Sequence, residues 1–264
     1  MSAEINKIAI TGKGGVGKTS LAALLAHLYT QQGRSVIAID ADPAGGLANA
    51  LGVPPDLLAQ LTPISEMEDL IAERTGAKPG TFGGFFSLNP RVDDIPDRFS
   101  ILHRGIRLLK LGTIEAGGSG CICPESALLK SLVTHLLLYR QEMLIMDMEA
   151  GVEHLGRATA QAVDAMLVVV EPGRRSIEVA ERIRQLANDL KMSRLYAVGN
   201  KVRTPEDRAF IAEQVSLPVI GYLSANPAII EADLRGQAIF DAAPQALEEA
   251  QVVAAALAAA CEEG

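Results

Sequence analysis

The chain has 264 residues, a net charge of −8, 48% hydrophobic residues and only 4% aromatics, with no tryptophan. That is enough for one large α/β domain or two small ones, with an aliphatic core of the kind a helix-flanked parallel sheet needs. The acidic balance argues against non-specific nucleic-acid binding, the lack of any run of 18 apolar residues against a membrane span, and three cysteines against a disulfide framework.

The first apolar run, 7–11, predicts a buried strand, and it leads straight into Gly12-Lys13-Gly14-Gly15-Val16-Gly17-Lys18-Thr19. This is the spacing G-x-x-x-x-G-K-[ST] of a P-loop, and a helical apolar pattern follows over 18–32. Strand, glycine-rich loop and helix together make a phosphate cradle. Glycines let the backbone wrap closely, and backbone N–H groups and the helix N-terminus attract the anion. Lys18 is expected to reach the β- and γ-phosphates and Thr19 to hold Mg²⁺. Gly12, Lys13, Gly14, Gly15, Val16, Gly17 and Ser20 complete the expected nucleotide contact. With so short an apolar start, no signal peptide is expected.

A second strand over 35–40 runs into Asp40-Ala41-Asp42-Pro43. Carboxylates there can activate an attacking water or hold a Mg²⁺-bound water. From 51 to 120 the pattern loses regularity, around short predicted strands at 99–102 and 107–112. Its centre, 76–97, is rich in Gly, Pro and Phe and contains Phe82, Phe85 and Phe86. We read 51–120 as an irregular insertion inside a single domain spanning 1–264, its centre either a partner-contacting lid or a folded surface loop.

Cys121-Ile122-Cys123-Pro124 comes next, preceded by Gly117, Gly118 and Gly120. Two thiols at i and i+2 can face one metal ion, and Cys123 falls near the N-cap of a predicted helix at 124–139, where thiolate is favoured. Two sulfurs do not complete a site; a symmetric dimer would supply four on its two-fold axis. Zn²⁺ would take them tetrahedrally and Ni²⁺ in a square plane. Buried structural cysteines or a redox pair are the alternatives. Cys261 sits alone in an Ala-rich terminal helix and is expected to be inert.

The strand predicted at 143–147 ends in Asp147, placed to bind Mg²⁺ beside a P-loop. Its methionines, Met143 and Met146, and the following Met148 are read as core fillers. Further strands at 165–171, 194–200 and 219–223 alternate with helices at 155–162, 175–190, 205–213 and 245–260. The alternation predicts a doubly wound, mostly parallel sheet, with ligands at the carboxyl ends of the strands. Gly199-Asn200-Lys201-Val202-Arg203 resembles the base-reading N-K-x-D of GTPases with Arg203 in place of the guanine-gripping acid. Adenine is therefore expected, read by Asn200 with Lys201 beside it, and the loop 223–227 closes the base pocket.

With two lysines in its P-loop, K-G-G-x-G-K-[ST], the chain resembles the deviant-Walker-A ATPases of the MinD, ParA and nitrogenase-iron-protein class. The resemblance implies that Lys13 reaches the nucleotide of a second subunit, that Asp42 of D-x-D-P positions water, and that Asp147-Met148-Glu149-Ala150-Gly151 is a switch sensing the γ-phosphate. Together with C-x-C and Asp147-Met148-Glu149-Ala150-Gly151-Val152-Glu153-His154, the chain resembles the CooC-type accessory ATPases of nickel-containing carbon monoxide dehydrogenase and acetyl-CoA synthase. This implies a cytoplasmic ATPase with ATP and Mg²⁺, an ATP- or metal-promoted homodimer, Ni²⁺ or Zn²⁺ at Cys121 and Cys123, and a client nickel enzyme. Two rivals remain. An iron–sulfur carrier would need a cysteine between Cys123 and Cys261, and none is there. A positioning ATPase acting on a membrane or DNA would need a basic surface, whereas 245–263 contains no Lys or Arg.

Overall fold

The computed structural model describes residues 5–80, 85–112, 123–151 and 157–262. Among them, eight strands form one sheet. They are β1 (Lys7–Gly12), β2 (Val36–Ala41), β3 (Ile101–His103), β4 (Ile106–Lys110), β5 (Met143–Met148), β6 (Ala165–Val170), β7 (Leu195–Val202) and β8 (Val219–Ser224). Their order is β3-β4-β2-β5-β1-β6-β7-β8. Every pairing is parallel except β3 with β4, which Arg104 and Gly105 join as a hairpin.

The helices are α1 (Lys18–Gln31), α2 (Leu47–Ala50), α3 (Pro55–Leu58), α4 (Glu68–Thr75), α5 (Ile95–Phe99) and α6 (Pro124–Tyr139). They continue as α7 (Arg157–Gln161), α8 (Arg174–Asp189), α9 (Pro205–Gln214), α10 (Pro227–Arg235), α11 (Ile239–Ala242) and α12 (Pro244–Glu262). Side chains alternate across a strand, so each face of the sheet builds its own core. Ile8 and Ile10 of β1 belong to the core that α1, α11 and α12 cover; Ala9 belongs to the core on the other face, which α4, α6, α8 and α9 cover. Both cores are almost wholly aliphatic. Met143, Met146 and Met148 are buried in them as fillers.

Predicted and observed strands differ at their ends by a residue or two, except that Phe99 closes α5 instead of opening β3. The first two residues of the helix expected at 155–162 lie outside the described residues. Residues 81–84, with Phe82, and 113–120 of the segment expected to be irregular, 51–120, lie outside the described residues. The segment's described part holds α3, α4 and α5 as well as β3 and β4, with α4 ended by Gly76 in the left-handed conformation and carrying acids in its first turn and Arg74 in its last. No described helix is long and apolar enough to cross a membrane.

The topology fixes the site. β1 lies between β5 and β6, and β5 lies between β1 and β2. Asp40 and Asp147 are register partners on adjacent strands, and Asp147 is also opposite Ile10. The P-loop and both carboxylates thus lie together at the carboxyl ends of adjacent interior strands.

Candidate nucleotide and metal site

The P-loop turns out of β1 at Gly12 and enters α1 after Gly17. Two of its glycines are demanded by packing. Gly12 has φ +145 with the Val169 carbonyl against its α-carbon, and Gly17 has φ +97 against the Asn200 amide; a side chain at either would collide. Gly14 and Gly15 instead face open space. They border a cavity of about 480 Å³, whose other walls include Lys18, Thr19, Asp42 and Ala150. Lys18 is buried at 5% exposure and its Nζ lies 3.4 Å from Asp42 Oδ2. A buried ammonium needs an anion, and Asp42 is in the place where phosphate would supply one.

Thr19 Oγ1 donates to Asp147 Oδ2 at 2.6 Å. Asp147 is fully buried, and burial, reinforced by the charge of Asp40, pushes its carboxyl up to about 7 against the opposing hydrogen bond from Thr19. Asp40 is also raised by burial, opposed by the N–H groups of Leu47 and Gly46 donating to its Oδ2 at 3.3 and 3.2 Å. Asp40 Oδ1 and Asp147 Oδ1 are buried with no hydrogen-bond partner in the structure. Two orphaned carboxylate oxygens beside a threonine hydroxyl are hard oxygen donors that suit Mg²⁺. That ion keeps most of its shell as water and substrate phosphate, so one or two carboxylates suffice. Among the described residues no group of three or more His, Cys, Asp or Glu side chains could hold a metal ion.

A second cavity, of about 710 Å³, adjoins the first at Gly15 and Gly17. It is lined by Ser20, Asn200, Lys201 and Arg203 on one side and by residues 224–227, Ile229 and Ile230 on the other. The expected base-site residues are therefore together. Asn200, however, also serves the P-loop: its Nδ2 donates to the Val16 carbonyl at 2.7 Å. The β7–β8 register is irregular between Gly199 and Val202, and such a bulge re-aims side chains. Lys201, with φ +56, donates to the Gly15 carbonyl at 2.6 Å. The expected loop 223–227 contains the end of β8 and the start of α10. Asn226 caps that helix by accepting from the Ala228 N–H, with Pro227 at its first position and Gly236 at its end. Those cap signals were present in the sequence.

Lys13 is held within its own chain. Its Nζ donates to Glu171 Oε1 at 2.8 Å, and Lys201 Nζ lies 3.0 Å from Glu171 Oε2. Burial would raise the Glu171 carboxyl, but the two lysines override it and hold it below the usual range. Glu171 is a residue that motif reading missed. No sequence signal links it to a lysine 158 positions away.

Cys123 is half-buried at the N-cap of α6, its thiol donating to Ser126 Oγ at 2.9 Å. Cys121, Glu153 and His154 lie outside the described residues, so the arrangement of the C-x-C pair does too. Cys261 is buried in α12.

Residues 7–239 match the CobQ/CobB/MinD/ParA nucleotide binding domain. The chain is 46% identical over 252 residues, 95% of both chains, to the carbon monoxide dehydrogenase accessory protein CooC of Rhodospirillum rubrum. It is also 46% identical over 236 residues to an uncharacterized ATP-binding protein of Methanocaldococcus jannaschii, covering 88% of this chain and 90% of that one. Among solved structures, the fold matches the cell division protein MinD of Aquifex aeolicus (TM-score 0.66, 21% identity, 97% of both chains). It also matches a ParA family ATPase of Chlorobium tepidum (TM-score 0.68, 17% identity, 97% and 99%).

Proposed function

This chain belongs to the CobQ/CobB/MinD/ParA nucleotide-binding family and is an ATPase of the CooC type, and we propose that it works as a homodimeric, Mg²⁺-ATP-dependent maturation factor for a nickel enzyme. The client is carbon monoxide dehydrogenase or acetyl-CoA synthase. The observation that carries this reading is the full-length identity to CooC in a chain whose Thr19, Asp147 and Asp40 meet beside the P-loop.

In the mechanism, Lys18 and the P-loop N–H groups bind the phosphates, and Asn200 and Lys201 line the base side of the groove. Thr19, Asp40 and Asp147 would hold Mg²⁺, which neutralises charge on the β- and γ-phosphates. Asp42 orients the attacking water once phosphate takes over Lys18. Lys13 leaves Glu171 and crosses to the partner's nucleotide, so ATP favours the closed dimer. Closure brings Cys121 and Cys123 of both protomers together as a four-sulfur site for the cargo, Ni²⁺, with Zn²⁺ as competitor. After hydrolysis the switch at 147–151 relaxes, the dimer opens and the metal passes to the client. The whole chain acts as one ATPase domain, with 51–120 as its insertion. The acidic net charge and the Lys- and Arg-free α12 favour this over a positioning ATPase on membrane or DNA.

The test is reconstitution. Nickel-free carbon monoxide dehydrogenase is incubated with Ni²⁺, Mg-ATP and this protein, and carbon monoxide oxidation is followed. Activation that needs ATP and is lost in Cys121→Ser/Cys123→Ser supports the proposal; activation indifferent to both rules it out.

A further inference from the structure

The pairing of β1 with β5 ends at Ile10 opposite Asp147, while the pairing of β1 with β6 continues to Gly12. From Thr11 onward the β5 side of β1 has no ladder partner, and a side chain takes the ladder's place. Thr11 is fully buried. Its hydroxyl lies 2.8 Å from the Glu149 carbonyl and 3.0 Å from the Gly151 carbonyl, and it accepts the Gly151 N–H at 3.1 Å. All three partners are backbone atoms of the loop leaving β5, and Glu149 and Ala150 of that loop wall the phosphate cavity.

We propose that Thr11 is a positioning residue for ATP hydrolysis, tying the loop 149–151 to the strand that carries the P-loop. Packing alone does not call for its oxygen, since valine has nearly the same shape. The oxygen accepts the peptide N–H of buried Gly151, which a valine could not do. A hydroxyl has one proton, so only one of the two carbonyls can receive it at a time. Rotation about the Cβ–Oγ1 bond lets the proton reach either carbonyl, so both contacts anchor the same loop to β1 one residue before Gly12. Movement at the phosphate cavity and movement of the loop are coupled through this one side chain. The inference rests on 147–151 being the segment that responds to the γ-phosphate.

The experiment compares steady-state hydrolysis and ADP affinity in wild type, Thr11→Val, Thr11→Ser and Lys18→Ala. In Thr11→Val, kcat should fall about tenfold, the rate equivalent of one hydrogen bond, with KM and ADP affinity within about twofold. Thr11→Ser should restore kcat. Wild-type kcat in Thr11→Val, with Lys18→Ala inactive, overturns the role of Thr11 and leaves the nucleotide site standing. Loss of ADP affinity in step with kcat in both Thr11 variants also overturns it, because that is a structural defect. Wild-type turnover in Lys18→Ala overturns the nucleotide reading and this inference together. Should Thr11→Val not fold, amide exchange in the nucleotide-free wild type decides. A protected Gly151 amide supports the proposal, and one exchanging at the unprotected rate overturns it.

Discussion

Lys13 Nζ and Glu171 Oε1 are 2.8 Å apart within one chain. The lysine that the dimer mechanism sends to a partner's nucleotide is here neutralised at home, by a carboxylate that Lys201 also holds. In the proposed dimer, crossing would break this pair, so Glu171 would oppose dimerisation. A half-exposed ion pair is worth up to about 1 kcal/mol, or about fivefold in an equilibrium. Glu171→Gln should therefore tighten the dimer formed with a non-hydrolysable ATP analogue by up to about that factor, read by analytical ultracentrifugation. Lys13→Ala should lose the dimer. A weaker dimer in Glu171→Gln would show that the carboxylate supports the closed state.

The contact between Thr19 and Asp147 predicts separable effects on metal and nucleotide. Asp147→Asn removes a charge that Mg²⁺ would share with Asp40, and should lower Mg²⁺-dependent kcat by about 10²-fold or more. Metal-free ADP binding, which rests on Lys18 and the P-loop N–H groups, should survive. Calorimetry with ADP in the presence of a chelator checks this; matched losses with and without Mg²⁺ would mean that the loop itself had collapsed.

Gly17 and Asn200 touch across the joint between the two cavities. Gly17→Ala should destabilise the fold by about 1–3 kcal/mol, combining left-handed backbone strain with the clash on Asn200. Asn200→Ala makes room, so the double variant should lose less stability than the two singles summed. Urea denaturation of all four proteins gives the coupling, and strict additivity would contradict the contact.

His27 stacks on Phe240 with ring centroids 3.8 Å apart, and its Nδ1 is buried without a partner. Burial lowers its pKa; nearby Asp241 opposes the shift and Arg104 adds to it. A depressed folded value means that the unfolded chain takes the proton first. The stabilisation is therefore present above about pH 6.5 and fades as pH falls through the folded value. Wild type should lose more thermal stability than His27→Gln between pH 7.5 and 5.5. Parallel curves would remove His27 from the acid response.

Most of this site is legible in the sequence because its parts are contiguous. Gly12 to Thr19, Asp40, Asp42 and Asp147 each follow an apolar strand, and parallel-sheet topology then carries all of them to the carboxyl ends of adjacent strands. Spacing cannot show side chains paired across the chain. Glu171 with Lys13, Asn200 with Val16, and Thr11 with the loop 149–151 span 158, 184 and about 140 positions. Helix α10 is a different case: Asn226, Pro227 and Gly236 spell its caps, but Ile230 and Leu234 are exposed and only Ala232 is fully buried, so no apolar stripe marks it as a core helix. In 51–120, α4 and α5 are held by burial of Leu70, Ile71 and Ile95, which local patterning does not announce.

The most direct measurement is native mass spectrometry of the full chain titrated with Ni²⁺ or Zn²⁺, with and without Mg-ATP, beside Cys121→Ser/Cys123→Ser. The account predicts one metal per dimer, favoured by ATP and absent from the double variant. An ATP-driven dimer that takes up neither metal would contradict it.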